Sequence, residues 1–254
     1  MTLISGYNQS AWEALIDQDR LNPKQTPRKR WRKAQAAEQA FWRNWRQNPL
    51  YGHIDLAGFW ADVLAKTGGP RLAGHILDIG CGPVPALNFW RDAETQALGV
   101  DPLAAFYSEN HIVESGPGLE PIAMWCGGGE SIPIRDQVAD QVFCFNVLDH
   151  VAQAESVLQE IRRILKPDGF ARIYVHTFKA WICPFLFWDT PHVYHWSPSQ
   201  FEALLQNHGF RIQTVLHEPK TFDLPSSLWG RLRNLPYWVA SHTAYTSYFQ
   251  LTLA

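Results

Sequence analysis

Cysteine and methionine are scarce: four and two among 254 residues, and none of Cys81, Cys126, Cys144 and Cys183 falls in a C-x-x-C pair. That spacing excludes a disulfide-stapled secreted scaffold and a zinc ribbon. It leads us to expect reduced thiols, a cytoplasmic location and no assigned metal ligands. Neither sign of charge is in excess. Lys and Arg total 22 against 24 Asp and Glu, a net charge of -2, so no general nucleic-acid footprint is present. No run approaches the roughly 18 apolar residues of a membrane span. No N-terminal stretch reads as a signal peptide, and there are no internal repeats. Tryptophan, by contrast, is abundant at twelve residues, which suit a large core and lid, with an aromatic-lined pocket or an interfacial surface as the sharper alternative. Hydrophobic residues at 46% and charged residues at 18% describe an ordinary globular chain with one large core.

The most informative run is His75-Ile76-Leu77-Asp78-Ile79-Gly80-Cys81-Gly82-Pro83. An apolar strand ends in a Gly-x-Gly turn, where a chain without Cβ atoms can bend sharply and lay bare main chain against a ligand. Asp78 stands two residues before the first glycine, placed to orient the loop or to accept a hydrogen bond from a bound ammonium. About 20 residues after the loop, Val100-Asp101-Pro102 puts an acid at the tip of the next strand, the spacing at which a carboxylate reaches ribose hydroxyls. A cap on the following helix is the plainer role for Asp101.

From His75 onward, strands alternate with helical segments. Strands are expected at His75–Gly80, Gln96–Asp101, Pro121–Cys126, Gln141–Asn146 and Phe170–Thr177. A helix is expected over Ala154–Leu165, ended by Lys166-Pro167-Asp168-Gly169. A further helix, Trp196–Gly209, precedes strands at Arg211–His217 and Ser247–Leu253, and the last two can pair antiparallel. The expected fold is α/β: a doubly wound, seven-stranded, mostly parallel sheet whose last strand is antiparallel, with an N-terminal helical cap. Residues 1–70 form the cap, with a short helix from Ser10 to Asp17, a basic helix from Arg28 to Gln47 and a third carrying Leu56, Phe59, Trp60, Val63 and Leu64. Residues 71–254 form the main domain, with substrate-side insertions near 179–196 and 219–245.

Two further runs complete the pattern: Cys126-Gly127-Gly128-Gly129-Glu130-Ser131-Ile132-Pro133-Ile134, and Asn146-Val147-Leu148-Asp149-His150-Val151 leading to Arg163-Ile164-Leu165-Lys166-Pro167-Asp168-Gly169. In this order, with L-D-I-G-C-G, they resemble the class I S-adenosylmethionine-dependent methyltransferases, in particular the small-molecule group, over roughly residues 70–180. Gly128 stands where the family usually has an acid, and Asp168 replaces a glycine. The resemblance implies S-adenosylmethionine as cofactor, held by Asp78, Gly80, Cys81, Gly82, Asp101 and Pro102. Gly129, Glu130 and Ser131 would border the adenine, and Asn146 and Val147 the methionine.

His150 is the first candidate for a general base because an imidazole titrates near neutral pH. Asp149 would orient it or bind a substrate hydroxyl or amine. The plainer role for His150 is to cap the following helix or to orient a loop. His192, Tyr194, His195 and Trp196 suggest polar substrate recognition. A metal at Asp189, His192 and His195 is the minor alternative. The apolar runs 181–188 and 224–240 would wall a pocket or touch a membrane surface.

The expected activity is methyl transfer to an oxygen or nitrogen of a small molecule. Nucleic acid and integral membrane are not expected partners; peripheral membrane contact and oligomeric state stay open. The alternative is a non-catalytic scaffold or partner subunit on the same fold, motivated by Gly128 and the basic, Trp-rich segment 23–33. A nicotinamide-dependent oxidoreductase is disfavoured, since Pro83-Val84-Pro85 follows Gly82 where a third glycine and a helix start are needed.

Overall fold

The computed structural model describes residues 2–7, 9–17, 29–48, 52–69, 71–186, 192–220 and 242–254. Part of the basic stretch before Lys29, the segment 187–191 with Asp189, and the 224–240 run with Trp229, Tyr237 and Trp238 lie outside the described residues.

The strands are β1 (Thr2–Ile4), β2 (Gly74–Ile79), β3 (Thr95–Asp101), β4 (Ala123–Cys126), β5 (Ala139–Phe145), β6 (Leu165–Phe178), β7 (Phe210–Pro219) and β8 (Ala244–Leu253). They form one sheet in the order β1-β4-β3-β2-β5-β6-β8-β7. Neighbours from β4 to β6 are parallel. The last strand, β8, runs antiparallel to both β6 and β7. The central strands are apolar almost residue by residue because helices cover both faces.

The strand count is eight rather than seven. Thr2, Leu3 and Ile4 pair antiparallel with Cys126, Trp125 and Met124. They cover the open edge of β4, whose main-chain groups would otherwise go unpaired. Three residues are too few to show a period in sequence. A second correction concerns Lys166–Gly169, expected as a stop between helix and strand. These residues lie within β6, opposite an irregularity between Ala139 and Gln141. Lys166 Nζ donates to Asp140 Oδ1 at 2.6 Å and holds the bulge against β5. A bulge tolerates Pro167 because its ladder bond is already lost.

The helices are α1 (Gln9–Glu13), α2 (Lys29–Arg43), α3 (Leu56–Lys66), α4 (Ala104–Glu109), α5 (Ala154–Ile164) and α6 (Pro198–Asn207). On one face of the sheet α5 buries Val157, Leu158, Ile161 and Ile164, and α6 buries Phe201 and Leu205. Trp12 of α1 joins the same core. On the other face α3 packs Trp60, Val63 and Leu64 on Ile76, Phe143, Phe145 and Tyr174. Helix α6 opens with a complete capping box between Ser197 and Gln200.

Arg172 on β6 ties α3 to the sheet. Its guanidinium donates to the carbonyl of Leu64 in the last turn of α3 and to those of Gly69 and Arg71 in the loop that follows. Burial lowers its pKa to about 10, and helix-end carbonyls are the partners a buried cation needs there. Among the described residues no helix is long and apolar enough to cross a membrane.

Candidate active site

The sheet order reverses between β2 and β5, and a cavity of about 620 Å³ opens at the carboxyl ends of the strands there. Open α/β sheets bind ligands at such switch points.

The floor is the glycine loop after β2. Gly80 and Gly82 have φ of 66° and 61°, in the left-handed region that disfavours side chains. A Cβ on Gly80 would come within 2.3 Å of Val147 Cγ2, whereas one on Gly82 would meet only Trp42 Cζ2 at 3.7 Å. The loop therefore packs directly on the turn after β5, and α2 covers it.

Two buried carboxylates stand at the loop: Asp101 lines the cavity and braces main chain, whereas Asp78 is not among the lining residues. Asp101 accepts from the amides of Gly82 at 3.0 Å and Leu103 at 2.7 Å, so each oxygen braces main chain and keeps a lone pair for a ligand. Burial raises its pKa to about 6, against the pull of those two amides. Asp78, 2% exposed, is pushed up to about 8 by burial and then by the neighbouring Asp101 charge. Burial also raises the Cys81 thiol, whose Sγ fills the space a side chain at Gly99 would need.

Within the glycine triplet before Glu130, Gly129 is the residue that packing requires. A Cβ on Gly129 would sit 2.7 Å from Ile79 Cγ2, and one on Gly128 would sit 2.6 Å from Glu130 Oε2. Glu130 lines the cavity and also accepts from the amides of Ala152 at 2.9 Å and Gln153 at 3.4 Å, ahead of α5. A carboxylate there complements the positive helix end. Pro102 and Gly129 line the cavity, whereas Ser131 is not among its lining residues.

The opposite wall begins at the turn after β5. Asn146 adopts φ of 59°, and its buried Oδ1 accepts no hydrogen bond among the described residues. The His150 amide closes the turn on Val147 O at 2.8 Å. Asp149, 1% exposed, sits between two imidazoles: its Oδ1 is 3.9 Å from His150 Nε2, and its Oδ2 is 3.7 Å from His192 Nε2. The two rings lie 4.5 Å apart.

Of the four residues grouped as substrate contacts, His192 alone lines the cavity. Tyr194 donates its hydroxyl to Ala152 O at 2.9 Å and stacks on Trp196, which packs on Phe201 in the core. His195 packs on Phe178.

Several lining residues carry no local motif. Trp31, Gln35, Glu38, Phe41, Trp42 and Trp45 come from α2 and the turn after it. Tyr174 and His176 of β6 stand opposite Tyr248 and Thr246 of β8. Lys220 lies 2.9 Å from His176 Nε2. Their sequence signal is the period of two along β6 and β8, visible as a face only once the strands pair.

The methyltransferase domain family model matches residues 77–173, from β2 through the bulge into β6. Over these residues the chain is similar to the methyltransferase domain family. An uncharacterized methyltransferase of Mycobacterium leprae is 28% identical over 124 residues, which is 48% of this chain and 43% of that protein. The chain spans about half the length of the first curated relatives it matches. The methyltransferase fold extends beyond the matched segment. The crystal structure of the [4+2]-cyclase SpnF aligns with a TM-score of 0.62 at 16% identity, covering 87% of this chain and 96% of its own. The Burkholderia thailandensis 1,6-didemethyltoxoflavin-N1-methyltransferase, with 1,6-didemethyltoxoflavin and S-adenosylhomocysteine bound, aligns with a TM-score of 0.55 at 12% identity, covering 92% of each chain. Both likenesses speak to fold alone.

Proposed function

We propose that this chain transfers the methyl group of S-adenosylmethionine to an oxygen or nitrogen nucleophile of a small, largely apolar acceptor. The observation that carries this reading is the contact of Gly80 with Val147, which puts the glycine loop and the Asn146–His150 turn in one cavity. Main chain at Gly80, Cys81 and Gly82 receives the methionine part of the cofactor. Asp78 and Asn146 Oδ1 offer acceptors to its ammonium, and Asp101 beside Pro102 serves the ribose hydroxyls. Gly129 and Glu130 border the adenine.

The acceptor occupies the side walled by α2, α3, β6 and β8. Trp60 stacks on Phe145 at 5.7 Å and Phe145 on Tyr174 at 5.7 Å, a wall suited to a planar or aliphatic body. His192, Asp149 and His150 meet its polar end. In the reaction a lone pair on the acceptor atom forms a bond to the methyl carbon as the carbon–sulfur bond breaks. The bonding pair stays on sulfur, and a proton on the acceptor passes to the Asp149–His150 pair. The sulfonium is already activated, so holding the nucleophile in line supplies most of the catalysis.

Calorimetry and thermal melts with S-adenosylmethionine and S-adenosylhomocysteine test the cofactor step. Ligand at about 100 times its Kd stabilises a single-site protein by roughly 2.7 kcal/mol. Binding of neither compound overturns the proposal. Mass spectrometry of an acceptor panel with deuterated methyl donor tests transfer. Tight cofactor binding without any labelled product favours the non-catalytic scaffold.

A further inference from the structure

We propose that Asp149, His150 and His192 form a binding site for one divalent transition-metal ion of the zinc class, open to the acceptor side of the cavity. One donor atom from each residue lies within 4.8 Å of the others. Both imidazoles present Nε2 to the same carboxylate, at 3.9 and 3.7 Å. Those distances are too long for hydrogen bonds. They sit just outside the roughly 3.4 Å between two donors that share a tetrahedral ion at about 2.1 Å.

The surroundings favour the same reading. Asp149 Oδ1 is buried and accepts no hydrogen bond among the described residues, and a buried carboxylate calls for a cation. On the far side of the His150 ring, Nδ1 lies 3.5 Å from Glu38 Oε1. A carboxylate behind a ligating imidazole orients the ring and strengthens it as a donor. The backbone fixes the third ligand: the amides of Val193 and Tyr194 donate to Asp149 O at 2.6 and 3.2 Å, which seats His192 beside Asp149. The set is nitrogen and oxygen without thiolate, and three protein ligands leave a coordination position open. His150 and His192 line the cavity, so that position faces the acceptor. The site deepens the proposed function and rests on it for its consequence: with the ion in place the acceptor, a phenol- or enol-type O-methyl acceptor, would bind through its oxyanion, and its proton would be released to water rather than to the Asp149–His150 pair.

The test is metal binding by the full chain after treatment with a chelator and dialysis. Equilibrium dialysis with Zn²⁺ is expected to give one ion per chain, and Co²⁺ a visible absorption of nitrogen–oxygen type. Asp149→Asn and His192→Ala are each expected to weaken Zn²⁺ binding about 100-fold or more, and Glu38→Gln about tenfold, in line with losses for supporting groups. His111→Gln, an exposed histidine after α4, keeps wild-type affinity. Calorimetry with S-adenosylhomocysteine on every variant reports folding and a competent cofactor wall. Absence of stoichiometric binding by the wild type overturns the proposal. So does binding unchanged in folded Asp149→Asn and His192→Ala, or a cobalt–thiolate band that places the ion on cysteine. Should a variant fail to fold, the wild-type stoichiometry and cobalt spectrum decide. Failure of the wild type to bind cofactor overturns the proposed function and leaves the metal result to stand alone.

Discussion

The cofactor wall proposed for the cleft is made largely of main chain, and the acceptor wall of side chains. On the first, two glycines in the left-handed region expose their backbone, and Asp101 holds the loop through two amides. On the second, an aromatic stack, three histidines and a lysine come from α3, β5, β6, the residues after β7, and the 149–192 region. Main-chain recognition is rigid and tolerates few substitutions. Side-chain recognition can be rebuilt residue by residue, which is how one fold serves many acceptors. The two walls should therefore respond differently to mutation.

The largest effect is expected at Gly80. Gly80→Val forces a side chain into Val147 at a φ of 66°, so stability should fall by about 3 kcal/mol or more and cofactor binding should be lost in calorimetry. Gly82→Ala meets only Trp42 Cζ2, at an ordinary van der Waals distance of 3.7 Å, and should cost only the backbone term, about 1–2 kcal/mol. Equal losses at the two positions would break the claim that the loop is packed against the 146–150 turn.

Asp78 gives the next effect. Its carboxyl is raised to about 8 in the folded chain, so it is mostly protonated at neutral pH. A cofactor ammonium favours the carboxylate, and binding should release a proton. Affinity should then rise with pH up to about 8, by as much as tenfold per unit, and the rise should vanish in Asp78→Asn. Calorimetry in buffers of different ionisation enthalpy counts the proton. For stability the sign is the reverse. The protonated group's contribution is complete below the unfolded value near 3.8 and is lost as pH rises through about 8. Asp78→Asn should accordingly melt higher than the wild type at alkaline pH, with the difference shrinking toward acid.

On the acceptor wall, Lys220→Met should lower kcat/KM for an active acceptor about 10- to 100-fold, the usual loss for a charged hydrogen bond, while the cofactor Kd stays within twofold. A matching loss of cofactor affinity would merge the two walls into one. The smallest effect is expected at Tyr194. Tyr194→Phe removes the hydrogen bond to Ala152 O and should cost about 1 kcal/mol in a denaturant melt, with no change in either ligand.

Much of this was legible along the chain, and what was not has a physical cause. The β2 glycine loop, Asp101 and the Asn146–His150 turn each lie within a few residues of a strand end, so local pattern located them. Helix α5 declares its apolar face at helical spacing. The Thr2–Ile4 strand was invisible because its pairing partner is more than a hundred residues away. Lys166–Gly169 carried turn residues but lies in a bulge, because Asp140 anchors Lys166 from the neighbouring strand. Tyr194 and His192 are two residues apart, yet one packs under the α5 start and the other reaches the cavity.

The sequence by itself determined the parallel α/β core, the loop that bends where only glycine fits easily, and the acid that follows it on β3. These depend on periodicity and backbone freedom, which are local properties. Tertiary structure alone decided that Glu38, Asp149, His150 and His192 meet, and that β6 and β8 present Tyr174, His176 and Tyr248 to one cavity. Such groupings depend on strand order and on the turn that brings His192 back to Asp149, and no spacing along the chain encodes a distance through space.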